Sequence, residues 1–281
     1  MTPKFSFKVA PVDVSWEVLS SSWRDADAAG FFDGAWLFDH FYPPRGPILP
    51  TWESWTMLAS LAALTTRLRL GVMVSSNTFR HPALLAHMAA TVDRVSGGRL
   101  EIGLGAGWHE KEHDAFGIEL GDAAQRWERF AESLEIIDGL LTHDRYSFAG
   151  RHFQLTDAVI ATKCIQRPRP PLVIGGIGPK RTMPLVARWA DHWNYFNPTE
   201  PAAALVEHRR RLHDLCAEIG RDPGTIEVSV QMRNPADPHE LTELAGQYLA
   251  AGADHILVTA FGPVDRDTVP SIAAALAPLR D

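Results

Sequence analysis

The chain has 281 residues, 46% of them hydrophobic and 22% charged, and a formal net charge of −7. That length holds one large domain or two small ones, and the acidic balance disfavours non-specific nucleic-acid binding, which needs a basic face. No apolar run reaches membrane-spanning length and the start lacks the apolar core of a secretion signal, so a cytoplasmic protein is expected, with its two distant cysteines, Cys164 in a loop and Cys216 on a helix, reduced.

Short β-rich runs alternate with amphipathic segments from end to end. Strands are predicted at Phe5–Ala10, Gly34–Phe38, Leu68–Val74, Leu100–Leu104, Leu172–Gly175, His192–Phe196, Ile226–Gln231 and His255–Ala260. Most read as continuous apolar runs, the pattern of strands covered on both faces. After the third strand, Pro82 suits the first turn of a helix striped by Leu85, Met88, Ala89 and Val92. After the fourth, Trp127, Phe130, Ala131, Leu134, Ile137 and Leu141 line one face of a long helix. Asp144 to Pro171 is too long for a simple barrel turn; Tyr146, Phe148, Phe153, Leu155 and Val159 mark it as an ordered excursion packed on the rest. Leu241, Leu244, Ala245, Tyr248 and Leu249 stripe the helix before the last strand. Eight strand–helix units with no linker-like break predict an α/β protein. The expected architecture is a single (β/α)8 TIM barrel over residues 1–281, with an extended segment between helix 4 and strand 5. A doubly wound open sheet is the competing architecture, with a high strand count for this length.

In such a barrel the carboxyl ends of the strands build the active site. Asp39-His40 follows strand two, and Ser75-Ser76-Asn77 follows strand three. Strand four ends in Gly105-Ala106-Gly107-Trp108, strand five in Gly175-Gly176-Ile177-Gly178-Pro179-Lys180, and strand six in Asn194-Tyr195-Phe196-Asn197. The glycine exit of strand four lets the backbone lie close to a flat or anionic ligand. Gly175 to Lys180 reads as strand, glycine turn and helix start. Free N–H groups there suit a phosphate, with Lys180 or Arg181 adding charge, and the same residues also fit a tight left-handed turn with no ligand. His40, at a strand exit, can exchange a proton with substrate while Asp39 orients it or binds cofactor; a histidine held by a backbone carbonyl has the same local sequence. Trp55 and Trp108 are placed near a ligand, Trp36, Trp127 and Trp189 in packing positions, and Asp191 at a strand start.

One motif competes. His109-Glu110-Lys111-Glu112-His113 matches the zinc-hydrolase pattern, with Glu110 as base and Glu132 near the distance of a third ligand. It follows a strand's glycine exit, however, and its segment ends at Gly117 after barely two turns, so no metal is expected. Zinc in the purified protein, with activity lost on chelation, would restore that reading.

Taken in order, several stretches resemble the bacterial luciferase-like family, and within it the branch using the deazaflavin coenzyme F420. They are Gly30-Phe31, Asp39-His40-Phe41, Thr66-Arg67-Leu68-Arg69-Leu70-Gly71, Phe79-Arg80-His81-Pro82-Ala83 and Asp93-Arg94-Val95-Ser96-Gly97-Gly98-Arg99-Leu100. They continue through Gly103-Leu104-Gly105-Ala106-Gly107-Trp108, Glu112, Phe116-Gly117, Pro170 to Gly176, Ala190-Asp191-His192-Trp193-Asn194 and Gly252-Ala253-Asp254. The resemblance implies a barrel, usually homodimeric, that holds a flavin or deazaflavin at the strand carboxyl ends. It implies a non-proline cis peptide mapping to Met73–Val74, Asp39 beside the cofactor and His40 beside the reacting carbon. The implied cofactor contacts are Asp39, Met73, Val74, Ser75 and Asn77, then Gly105, Ala106, Gly107 and Trp108 at the ring or side chain. At the phosphate they are Gly175, Gly176, Ile177, Gly178, Pro179 and Lys180. The implied activity is hydride transfer between F420 and a small organic substrate; the alternative is a monooxygenase using flavin mononucleotide (FMN), and a third reading is a non-catalytic flavin carrier, which intact Asp39-His40 opposes. Trp108 stands where the family's sugar-phosphate dehydrogenases carry a carboxylate, and Pro43-Pro44 where they carry a tryptophan, which argues against a sugar phosphate. Met232 to His239 is short for a lid, so the pocket is expected to be more open, or covered by Asp144–Pro171.

Overall fold

The computed structural model describes residues 2–260 and 264–280. Its strands are β1 (Lys4–Val9), β2 (Gly34–Leu37), β3 (Arg69–Val72), β4 (Ser75–Ser76), β5 (Leu100–Gly105), the hairpin β6 (Tyr146–Ala149) and β7 (Gln154–Ala158), β8 (Leu172–Gly175), β9 (His192–Tyr195), β10 (Glu227–Arg233) and β11 (His255–Ala260). Outside the hairpin these strands pair in parallel in the order β3-β2-β1-β11-β10-β9-β8-β5, and β5 returns to β3 with Leu70 opposite Leu100, which closes the barrel. The predicted third strand is interrupted: the Met73–Val74 peptide is cis, and β4 resumes beyond it against Leu104 and Gly105.

Helices α1 (Trp16–Ala29), α2 (Ser54–Leu64), α3 (Pro82–Val95), α4 (Glu110–Phe116), α5 (Ala123–Thr142), α6 (Thr182–Trp189), α7 (Ala204–Glu218), α8 (Pro238–Ala250) and α9 (Thr268–Leu276) surround it. Local chemistry starts and stops them. Asp122 and Gln125 form a reciprocal capping box at α5. Proline opens α3 and α8, and Gly30, at φ 76°, ends α1 in the left-handed region. Among the described residues no helix is long and apolar enough to cross a membrane.

The strand faces divide the chemistry. Outward positions such as Phe5, Phe7, Leu70, Ile102, Ile174, Trp193, Ile256 and Val258 join one apolar core with the helices. Among the described residues, Trp36, Met73, Val173 and Leu257 form a separate apolar cluster inside the barrel, with Val74 packed on it. Trp36 fits there because Gly71 has no side chain: a Cβ would stand 2.6 Å from its Cζ3. The remaining inward positions include buried polar residues, Ser6, Lys8, Glu101, His192, Asn194, Ser229, His255 and Thr259. The strands are therefore buried on both faces, as expected, but apolar on one.

At the amino end of the lumen, Glu101 accepts from Arg69 Nε and from His192 Nδ1 at 2.9 Å. Glu227 accepts from His255 Nδ1 at 2.7 Å and from Lys4 Nζ, and the two imidazoles stack with centroids 5.7 Å apart. Burial opposes the Glu101 charge, yet the His192 hydrogen bond and the charges of His192 and Arg69 bring its pKa from 4.5 down to about 2.

The excursion is the hairpin β6–β7. Glu132 on α5 accepts from the backbone N–H groups of Arg151 (2.7 Å), His152 (3.0 Å) and Phe153 (3.0 Å), so it caps the hairpin turn. Cys164, in a loop, and Cys216, on α7, are buried free thiols.

Two expectations follow. Because Glu101 titrates lower folded than unfolded, its contribution is present above pH 4.5 and is lost as the pH falls from 4.5 toward 2. Urea melts of Glu101→Gln should show lower stability at pH 7 and a flatter decline through that window than the wild type. Gly103→Ala should destabilise by roughly 3 kcal/mol, because its Cβ would stand 1.9 Å from the Val72 carbonyl oxygen.

Candidate active site

A cavity of about 770 Å³ opens at the carboxyl end of the barrel, within the range of small-molecule and cofactor sites. Val74 projects into it between two glycines: its methyls are 2.5 Å from a Cβ built on Gly105 and 3.2 Å from one built on Gly175. Gly107, at φ 86°, is likewise closed to a side chain by Thr78 Oγ1 at 2.7 Å. Backbone and one aliphatic knob thus form a smooth wall, which suits a flat ring.

The β2 exit supplies the polar groups. Asp39 is buried and accepts from Arg80 Nη1 (2.6 Å), Arg80 Nη2 (3.0 Å) and the Ser76 backbone N–H (2.9 Å). This two-pronged ion pair fastens the β2 exit to β4. Arg80 also reaches Glu53, the N-cap of α2. Both Asp39 oxygens are thus occupied by Arg80 and the Ser76 N–H.

His40 donates from Nδ1 to Glu112 Oε2 at 2.7 Å. Glu112 is fully buried and its other oxygen accepts from the Phe41 N–H at 2.6 Å. Burial alone would raise its pKa; the hydrogen bonds from His40 and from the Phe41 and Tyr42 backbones carry it below its ordinary value. An ionised carboxylate on Nδ1 fixes the tautomer and leaves His40 Nε2 for the cavity that His40 lines. Glu112 is the cavity residue that residue-by-residue reading did not tie to His40. Its signal was present, in the motif run and in the competing zinc pattern, but nothing local ties it to a histidine 72 positions earlier.

The zinc pattern does not assemble. α4 begins only at Glu110, with His109 as an uncapped N-cap. His113 spends Nδ1 on the His109 carbonyl (2.8 Å) and Nε2 on Thr78 Oγ1 (2.6 Å), and Glu132 holds the hairpin. Two other groups bring possible ligand atoms within 4.8 Å of one another, His40–His109–Glu112 and His192–Glu227–His255. In each, a histidine Nδ1–H already lies on the carboxylate.

Of the implied cofactor contacts, Asp39, Met73, Val74, Ser75, Gly105, Ala106, Gly107, Trp108, Gly175 and Gly176 line the cavity together with His40. Asn77 is buried at its edge, its N–H on the Gly105 carbonyl. Ile177, Gly178, Pro179 and Lys180 lie outside the wall, because α6 starts at Thr182, and Thr182 lines the cavity in their place. Trp108 is 58% exposed at the mouth, whereas Trp55 is buried behind the wall with Nε1 on Ser75 Oγ at 2.9 Å. Trp127, read as packing only, reaches the cavity. No residue of 144–171 lines it, so the excursion is not a cover.

A family model described as luciferase-like monooxygenase matches residues 14–252. The chain is similar to the pyrimidine monooxygenase RutA of Stutzerimonas stutzeri, 28% identical over 214 residues covering 75% of this chain and 58% of the relative. It is 32% identical over 185 residues to that of Allorhizobium ampelinum, covering 62% of this chain and 47% of the relative. The chain thus spans about half the length of these relatives. Among solved structures it is similar to an F420-dependent secondary alcohol dehydrogenase in complex with an F420–acetone adduct, at TM-score 0.87 and 19% identity over all of both chains. It is also similar to the coenzyme F420-dependent tetrahydromethanopterin reductase from Methanopyrus kandleri, at TM-score 0.82 and 16% identity over all of both chains. At those identities the likeness establishes the fold.

Removing the cation from Asp39 isolates a buried charge. Arg80→Ala should cost about 3–5 kcal/mol in a denaturant melt, and Asp39→Asn in the same chain should restore part of it.

Proposed function

The chain belongs to the luciferase-like monooxygenase family, and on that premise we propose that it is an oxidoreductase transferring a hydride between the deazaflavin coenzyme F420 and a small organic substrate. The observation that carries the reading is His40, tied through Nδ1 to buried Glu112 at the edge of a glycine-walled cavity. The match in length and course to F420-dependent enzymes supports it.

The residues present fit a planar redox ring: Gly105 and Gly175 leave room for Val74 to serve as its platform, and Ala106, Gly107 and Gly176 complete the wall. When bound, a deazaflavin supplies two-electron hydride transfer at its central ring carbon and reacts poorly with dioxygen. His40 Nε2 takes the proton from, or gives it to, the substrate atom bonded to the carbon that loses or gains the hydride, so the two leave or enter across one bond. Glu112 keeps the ring oriented and balances the charge when it is protonated. Asp39 and Arg80 hold Ser76, and with it the β4 turn, in place. Phe38, Phe79, Trp108, Trp127 and Phe196 make the mouth apolar, so the substrate is small and largely apolar, and water is kept from the transfer.

A second reading, an FMN-dependent monooxygenase, is favoured by the identity to pyrimidine monooxygenases. Titrating the purified protein with F420 and with FMN separates the two. F420 binding without oxygen consumption is expected; tight FMN binding with oxygen uptake overturns the proposal. His40→Ala should keep coenzyme affinity within a few-fold and lose about a hundredfold or more in turnover, whereas a mere carrier has no turnover to lose.

A further inference from the structure

Lys8 stands on β1 at an inward position, 5% exposed. Its Nζ donates to the Met73 carbonyl at 2.7 Å and to Gln231 Oε1 at 3.2 Å. Both acceptors are neutral, and Lys8, Met73 and Gln231 all line the cavity. Among the described residues no carboxylate pairs with Lys8. Three other cations of the barrel differ: Arg69 has Glu101, Lys4 has Glu227, and Arg80 has Asp39 and Glu53; Arg45 and Arg233 also line the cavity. Burial alone brings the Lys8 pKa from 10.5 down to about 7. An ammonium carries three N–H donors, so one beyond these two bonds is left for a ligand. A buried, unbalanced cation at the floor of a ligand cavity is costly to the free protein; a ligand anion would balance it.

We propose that Lys8 is the anion-recognition residue of this cavity. It favours the reduced redox ring, whose negative charge is confined to the pyrimidinedione edge, over the oxidised ring, whose edge carries less of it. The inference rests on the coenzyme reading above and adds the redox state that the site prefers. The contact is a charge-assisted hydrogen bond from Nζ to the deprotonated edge. Lys8 moves no electron and gives up no proton in this role; it sets the relative affinity of two states and so the potential of the bound couple. Gln231, sharing the ammonium, keeps it aimed at the floor.

Anaerobic fluorescence titration of the wild type, Lys8→Met and Lys8→Gln with oxidised and reduced F420 tests this, with FMN as the parallel arm. Both variants should bind the oxidised form within threefold of wild type and the reduced form at least tenfold more weakly. That shift lowers the midpoint potential of the bound couple by about 30 mV. The unloaded Lys8→Met protein should also melt at a higher temperature than wild type, because an isolated buried charge has been removed. Equal weakening of both redox forms, or unchanged affinity for both, overturns the inference, as does a lower Tm with equal weakening, which marks a packing residue. If the wild type binds neither coenzyme, the coenzyme reading falls and this one with it; binding with unaltered redox preference in the variants sinks the Lys8 inference alone.

Discussion

The backbone approach of β3 to β5 governs the site. The Val72 carbonyl occupies the space of a Gly103 side chain, Val74 occupies that of one at Gly105, and Val74 crowds a third at Gly175, at 3.2 Å from a Cβ built there. Glycine at these inward positions is a steric requirement and not a matter of flexibility. With any larger residue there, β3 would move outward, the Met73–Val74 turn would leave the floor, and the Lys8 ammonium would lose the Met73 carbonyl. The wall, the knob and the cation therefore stand or fall on the absence of three side chains.

Two carboxylates extend that frame upward. Asp39 joins the β2 exit to β4 through Arg80 and Ser76, and Glu112 joins the same exit to α4 through His40 and the Phe41 backbone. One aspartate and one glutamate thus perform different work within a few residues of each other. Asp39 faces a permanent cation and is fixed as a strut. Glu112 faces two imidazoles, His40 at 2.7 Å and His109 at 3.0 Å, and under the proposed function it is the carboxylate that supports the proton transfer.

The barrel was legible because its outward positions are apolar almost without interruption, and the alternating helices left few other folds. The lumen was not: the polar inward residues of β1, β9, β10 and β11 sit between apolar neighbours and read as noise until the strands close. Phe5-Ser6-Phe7-Lys8-Val9 shows why, since either face alone would look like half of an ordinary strand. The cavity wall was legible through its glycines and through Asp39-His40. The Glu112–His40 bond, the use of Glu132 on the hairpin and the burial of Trp55 were hidden, because each depends on distance in space between residues far apart in the chain. The helix after strand five begins later than the sequence reading placed it: α6 starts at Thr182, and Ile177, Gly178, Pro179 and Lys180 lie outside the cavity wall.

Trp108 has a further consequence. It is 58% exposed, its ring centroid 5.7 Å from that of His40 and 5.0 Å from that of His109. An indole perched between solvent and two imidazoles is an optical gauge built into the rim, its emission dimmed when a neighbouring ring gains charge and altered when a guest displaces water. Arrival of a molecule can then be followed by light, without any label attached to the chain, once the emission of the other eight tryptophans is subtracted by comparison with Trp108→Phe.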